Sequence, residues 1–314
     1  MRPLSVVFFG TPEFAVPSLE ALLGAADIEV PFVVTQPDRA VGRHADVRPS
    51  AVGARAAERG LAVEKPASIR TNPGVLERLE RARPDAIAVV AYGRILPKEI
   101  LDLPRLGCIN VHASLLPRHR GASPIQAAIL AGDRETGVST MKIELELDAG
   151  PIYLERRVTI GETETAGELS ERLAALGGDL LVETLSALQG GRLTARPQRG
   201  EPTFTRPIRR EDAEIDWGKS AEELSRRLRA FTPWPGLHTH LGGERVKILE
   251  AEPSPSGLSL TAGTFDFDGK DLLAAAGDGT ALRIGRVQRA GRRPVTGAEF
   301  ARAVRLPGRF GPPR

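Results

Sequence analysis

The chain has 314 residues, enough for two domains that each bury a core. Hydrophobic residues make up 41% and charged residues 26%, which excludes a disordered chain, and no apolar run is long enough to cross a bilayer. A lone cysteine, Cys108, excludes an internal disulfide and a multi-cysteine metal site. The apolar Val6–Phe9 is too short for a signal-peptide core, so a cytoplasmic location is expected. Net charge is only +3 but uneven, because nine arginines stand against one acid (Glu299) from Ala281 to Arg314. That segment reads either as a footprint for a polyanion or as a run of solvated arginines.

The first half alternates strands and helices. Leu4–Phe9 is a continuous apolar run, as for a parallel strand buried on both faces. Helical spacing follows at Pro17–Leu23, then a strand at Ile28–Thr35, a helix at Ser50–Arg59 and a short strand at Leu61–Glu64. The pattern continues with a helix at Pro73–Arg81, a buried strand at Ala86–Ala91 and a strand at Gly107–His112 running into a Pro-rich loop. A helix at Pro124–Ala131, strands at Val138–Ile143 and Gly150–Val158, and a long amphipathic helix at Glu168–Gln189 complete it. Alternation of this kind predicts an α/β fold with a doubly wound, mostly parallel sheet over residues 1–189. Gly190–Ile208 turns to Gly, Arg, Pro, Gln and Thr and reads as a linker. Residues 209–314 carry a helix at Ala221–Ala230 and short segments such as Arg245–Glu250, Leu258–Leu260 and Ala281–Val287, which predict a small OB-like β-barrel.

Chemistry concentrates in Gly107–Pro117. Asn110 and His112 stand two apart on a predicted strand, so their side chains share a face at the carboxyl end, where open α/β sheets bind ligands. The structural alternative is a strand-capping asparagine beside a satisfied core histidine. Asp148, in Leu147-Asp-Ala-Gly150, begins another strand beside a glycine turn and can reach a neighbouring strand end. An Asn–His–Asp set with no serine or cysteine nucleophile suits direct acyl transfer to an external amine. It supplies a donor for the oxyanion, a proton acceptor and a carboxylate to orient the histidine.

Asn110-Val-His112, Ser114-Leu-Leu-Pro117, Arg120-Gly121 with Pro124-Ile-Gln126, Glu135-Thr-Gly-Val138 and Leu147-Asp148-Ala-Gly150 resemble the signature series of the 10-formyltetrahydrofolate-dependent formyltransferases. The resemblance implies that Asn110 donates to the formyl oxygen, that His112 stabilises the tetrahedral intermediate and moves protons, and that Asp148 pairs with His112. It also implies a folate pocket at Ser114, Leu115, Leu116 and Pro117 and in the loop before Asp148. Main-chain contacts to the pterin would come from the segment holding Tyr92, Ile95, Leu96 and Pro97. Phe9-Gly-Thr-Pro-Glu-Phe14, Thr35-Gln-Pro-Asp-Arg39 with Gly42-Arg43, Ile215-Asp-Trp217 and Pro233-Trp-Pro235 are similar to the members that formylate the methionine on initiator methionyl-tRNA. The co-substrate would be 10-formyltetrahydrofolate, with no metal, and the acceptor would be held by Arg43 and by Arg292 and Arg293 of a monomer.

The chain departs from the family in the loop Arg43-His-Ala-Asp-Val-Arg48, which has no lysine and one acid, so its phosphate attraction is weaker. Gly10-Thr-Pro-Glu-Phe14 is not G-x-G-x-x-G, and the scattered His44, His112 and His119 lack metal-ligand spacing. Trp217 and Trp234 could stack on nucleotides, although Trp234 between two prolines reads better as a packing residue. Two alternatives stay open: formylation of a nucleotide-linked amino sugar, and a non-catalytic RNA-binding relative.

Overall fold

The computed structural model describes residues 2–41, 46–254 and 260–311. Its contacts divide the chain into two compact units. The first takes the chain up to Pro124 with Glu135–Thr159 and Ser170–Thr205, and the second takes Ile125–Arg134, Ile160–Leu169 and the chain from Arg206 onward.

In the first unit the strand Leu4–Gly10 is central because both its faces are apolar, and Val6 through Phe9 have no exposed surface. It pairs in parallel with Val33–Val34 on one side and Ala86–Val90 on the other. Val63–Glu64 lies beyond Val33–Val34, and Cys108–His112 runs parallel to Ala86–Val90. Glu135–Lys142 and Ile152–Thr159 then extend that side as antiparallel strands. The chain thus winds first to one side of Leu4–Gly10 and then to the other, a switch point of the kind at which open α/β sheets bind ligands outside the carboxyl ends of their strands. The expected strand Ile28–Thr35 is split into Ile28–Glu29 and Val33–Val34 around Pro31, which has no N–H to give a ladder. Ser50 and Asn72 cap the helices Ala51–Glu58 and Pro73–Ala82 by accepting from Gly53 N and Gly74 N.

The segment read as a linker is laid against the first unit. Arg196 exchanges two main-chain hydrogen bonds of 2.8 Å with Ile152, and Phe204–Thr205 pairs in parallel with Arg120–Gly121. Gly121 makes that approach possible, since its φ is +107° and an added Cβ would sit 2.3 Å from Thr205 O.

The second unit is a small antiparallel barrel. Its strands run in the order His238–Leu241, Glu244–Ser254, Ala281–Arg289, Leu272–Ala275, Thr264–Phe267, Gly308–Arg309. A bridge from Gly311 back to His240 closes the sheet on itself. The expected strand Leu258–Leu260 lies largely outside the described residues. Trp217 is no open platform: it is buried, stacks on Phe310 and donates to Thr239 Oγ1 at 3.1 Å. Trp234, expected to be a packing residue, is instead 52% exposed.

The basic strand Ala281–Arg289 carries its own counter-charges across the sheet. Arg283, Arg286 and Arg289 face carboxylates on the neighbouring strand: Arg283 pairs with Glu252, Arg286 with Glu250 at 2.8 Å, and Arg289 with Glu244. Their charge is therefore neutralised locally. Arg292 and Arg293 are exposed and make no ion pair among the described residues.

Phe265 is the hub of the barrel's ring cluster, with Phe310 at 4.2 Å and Phe300 at 6.0 Å between centroids. Phe265→Ala should destabilise this unit by about 3–5 kcal/mol, because the rings around it cannot collapse into the space it leaves. Urea unfolding followed by Trp217 fluorescence measures this. A midpoint equal to wild type would mean that the cluster closes around the loss.

Candidate active site

The strand Cys108–His112 carries two faces of different character. Val111 points to the helix Ala166–Gln189 at Gly177, where an added Cβ would come within 2.8 Å of its Cγ1. Asn110 and His112, offset by one residue on each side, occupy the opposite face. The amide of Asn110 is half-buried and forms no hydrogen bond among the described residues, so its donors are uncommitted.

His112 is buried and tightly held. Its Nε2 lies 3.0 Å from the main-chain oxygen of His119. A carbonyl only accepts, so Nε2 carries the proton of the neutral ring and Nδ1 carries the lone pair. Nδ1 faces Asp148, whose Oδ2 is 3.7 Å away. The same carboxylate oxygen accepts from Gly121 N at 2.7 Å. An incoming proton on Nδ1 would thus meet a fixed negative charge. Burial is the stronger influence on this ring and holds His112 below the ordinary histidine range, while Asp148 and the bond to His119 push the other way.

Asp148 sits in a left-handed turn with φ +49°, which costs an L-residue roughly 1–2 kcal/mol. The turn is narrow: a Cβ on Gly150 would stand 1.8 Å from Lys142 O. What holds the turn was missed by sequence reasoning. Gln198 donates through Nε2 to Asp148 O at 2.7 Å and to Gly150 O at 2.8 Å. Its Oε1 accepts in turn from Arg120 Nε at 3.1 Å and Nη2 at 2.8 Å. The only available signal was a polar side chain in a segment whose composition reads as linker.

The serine and the cysteine nearest Asn110 and His112 in the chain are, respectively, occupied and held protonated. Ser114 Oγ donates to Arg118 O at 2.6 Å. Cys108 opens the strand two residues before Asn110, and burial pushes its thiol up to about 12. Among the described residues no three His, Cys, Asp or Glu side chains are grouped to hold a metal ion.

The segments expected at a folate pocket divide by exposure. Tyr92 and Leu96 are buried in the core of the first unit, and Leu116 packs with Met141 and Ile152. Tyr92 O already accepts from Thr11 Oγ1 and Gln36 Nε2, at 3.1 and 2.8 Å. Pro117 and Ser114 are buried as well, and Leu115 is half-buried. Ile95 is 73% exposed, and so are Leu145 and Leu147 in the loop before Asp148, at 71% and 57%. Arg43 lies outside the described residues.

Comparison with known proteins narrows what this arrangement belongs to. The formyl transferase family matches residues 4–185, and the formyl transferase C-terminal domain matches residues 207–305. The chain is 46% identical over 307 residues to the methionyl-tRNA formyltransferase of Methylococcus capsulatus, covering 98% of this chain and 99% of that one. Among solved structures, the N-formyltransferase from Helicobacter canadensis, in complex with folinic acid and dTDP-3-aminofucose, has a TM-score of 0.65 at 18% identity. It covers 92% of this chain and all of its own. Glycinamide ribonucleotide transformylase 1 from Symbiobacterium toebii reaches 0.53 at 22% identity over 63% of this chain and 95% of its own. These two likenesses are likenesses of fold. With family models matching both parts of the chain, the protein belongs to the formyl transferase family. Within it, the chain belongs with the methionyl-tRNA formyltransferases.

The histidine carries a pH signature with a definite sign. The unfolded chain takes up the His112 proton near pH 6.5, whereas the buried ring resists it to lower pH. The stability contributed is present above about pH 6.5 and is lost as pH falls through the native midpoint. NMR titration should place the His112 midpoint below about 6.5, and His112→Gln should flatten the acid-side loss of stability. A midpoint above 6.5 would mean that Asp148 outweighs burial.

Proposed function

We propose that this chain transfers the formyl group of 10-formyltetrahydrofolate to the α-amino group of methionine on initiator methionyl-tRNA, giving formylmethionyl-tRNA for translation initiation. The observation that carries the reading is the uncommitted Asn110 amide beside a buried His112 whose lone pair faces Asp148. The near full-length identity with a methionyl-tRNA formyltransferase supports the same substrates. In the reaction the amine nitrogen bonds to the formyl carbon, the bond from that carbon to folate N10 breaks, and one proton passes from the amine to N10. Asn110 would donate to the formyl oxygen as it gains negative charge. Nδ1 of His112 would accept the amine's proton, and Asp148 would stabilise the imidazolium so formed. Exposed Ile95, Leu145 and Leu147 offer apolar surface that a flat ring system such as a pterin would cover. The segments around Tyr92, Leu96 and Pro97 and around Ser114, Leu115, Leu116 and Pro117 would contribute through shape and main chain.

Division of labour between the two parts belongs to the same proposal: residues 1–189 carry the chemistry and 209–314 hold tRNA. Among the described residues no helix is long and apolar enough to cross a membrane. A cytoplasmic monomer fits this reading, and sedimentation at working concentration checks the monomer.

Asn110→Ala, His112→Ala and Asp148→Ala should each lower turnover by at least roughly 10²-fold with the fold intact. The assay measures formyl transfer to charged initiator tRNA and, in parallel, to a nucleotide-linked amino sugar. Near-normal turnover in a well-folded variant removes that residue from the mechanism, and transfer to the sugar alone overturns the substrate.

With Arg283, Arg286 and Arg289 paired, the charge left in the barrel to hold tRNA includes the exposed Arg292 and Arg293, with Arg43 placing the acceptor end. Neutralising Arg292 and Arg293 together should weaken tRNA binding and leave folate affinity unchanged. The salt slope should fall by about 0.7–0.9 for each phosphate that the barrel no longer neutralises. Binding isotherms across salt concentrations measure the slope, and an unchanged slope would mean a merely solvated pair.

A further inference from the structure

We propose that Gln198 is a positioning residue for formyl transfer, clamping the turn that presents Asp148 to His112. The inference rests on the reading of Asp148 and His112 given above.

The orientation of the Gln198 amide is forced by its neighbours. The oxygens of Asp148 and Gly150 only accept, and the Arg120 guanidinium only donates, so Nε2 must face the turn and Oε1 must face Arg120. One amide thereby holds both carbonyls that flank the Asp148–Gly150 turn. Asp148 has a positive φ and needs outside support to stay in that conformation. Arg120 is only 8% exposed, so the anchor behind Gln198 is itself fixed.

The network also closes on itself. Three consecutive residues reach the catalytic groups in three ways: His119 O takes the Nε2 proton of His112, Arg120 reaches the Asp148 main chain through Gln198, and Gly121 N donates to the Asp148 carboxylate. Thr203 and the strand residue Thr205 pin that tripeptide: His119 N donates to Thr203 Oγ1 at 2.8 Å, Arg120 N donates to Thr203 O at 2.8 Å, and Thr205 Oγ1 donates to Arg120 O at 3.1 Å. Gln198, Thr203 and Thr205 all lie in the segment between the two family matches. That segment therefore supplies the frame that sets the distance from Asp148 to His112. Gln198 touches no reacting atom and acts only through Asp148.

The test uses the full-length enzyme with Gln198→Met, which keeps the length and loses the hydrogen bonds, and Gln198→Glu. The glutamate retains the contact with Arg120 but turns an acceptor toward the two carbonyls. Asp148→Asn serves as the reference in the same assay. Both Gln198 variants should lose on the order of 10- to 100-fold in kcat. KM for the folate and for the tRNA should stay within about twofold of wild type.

A second readout separates positioning from general loosening. The charged and titratable groups facing His112 are Asp148, His119 and Arg120. Releasing Asp148 removes the influence that favours the imidazolium, so the acid limb of kcat should move to lower pH. Wild-type kcat in either Gln198 variant, with Asp148→Asn inactive, overturns the clamp alone. A loss shared between kcat and KM, with the acid limb unmoved, assigns Gln198 a merely structural role and also overturns it. Unimpaired Asp148→Asn overturns the reading of the site and the clamp with it.

Discussion

A buried imidazole needs both its nitrogens accounted for, and meeting that need at His112 shapes much of the first unit. The Nε2 proton requires an acceptor, and the loop after the strand curls back so that His119 O supplies one at 3.0 Å. His119 has φ +58°, a conformation held by the strand Phe204–Thr205 and by Thr203 alongside it. With Nε2 committed, the lone pair on Nδ1 has a single direction, and Asp148 stands there. Burial makes the ring a weak base, and the carboxylate partly restores what burial removes. Burial thus holds the ring toward its neutral form, the form that the proposed uptake of the amine's proton requires.

Much of this was legible in the amino-acid order. Two polar residues two apart at the end of an apolar strand, and an aspartate beside a glycine turn, are local patterns, and the structure brings the three into one place. Contacts between distant segments were not legible. Gln198 lies 50 residues from Asp148 in a stretch rich in Pro, Arg and Gly, where composition suggests a passive tether. The pairing of Arg283, Arg286 and Arg289 was not legible for a related reason. Their partners Glu244, Glu250 and Glu252 sit on a strand more than 30 residues earlier, and a count along the chain cannot see charges cancelled across a sheet. The burial of Trp217 was not legible either: its indole N–H finds Thr239, 22 residues further along the chain.

The ion pairs of the barrel and the pair in the site obey different electrostatics. Arg286 and Glu250 are both about half exposed, so water screens them and their pairing adds little to stability. Its main consequence is to remove positive charge from a surface that would otherwise attract polyanions broadly. His112 and Asp148 are 6% and 14% exposed, where the surrounding medium screens far less. A small displacement at that pair alters the energy of the imidazolium much more than the same displacement in the barrel. Rigidity is thus needed in the first unit and can be relaxed among the surface arginines.

Direct transfer without a covalent nucleophile, as proposed, accounts for where rigidity is concentrated. The Ser114 hydroxyl donates to Arg118 O, and the Cys108 thiol is held protonated by burial. On the proposed reading one encounter between amine and formyl carbon must succeed, and orientation and charges already in place would carry it. Asn110 and His112, both paired to the neighbouring strand Glu135–Lys142, meet that demand through the sheet itself. Asp148, on a turn, has no ladder to hold it. A turn bonded through its carboxylate to Gly121 N and through its carbonyl to Gln198 is the structural equivalent of a strand position. The chain has built that equivalent from the segment that also leads to the next domain.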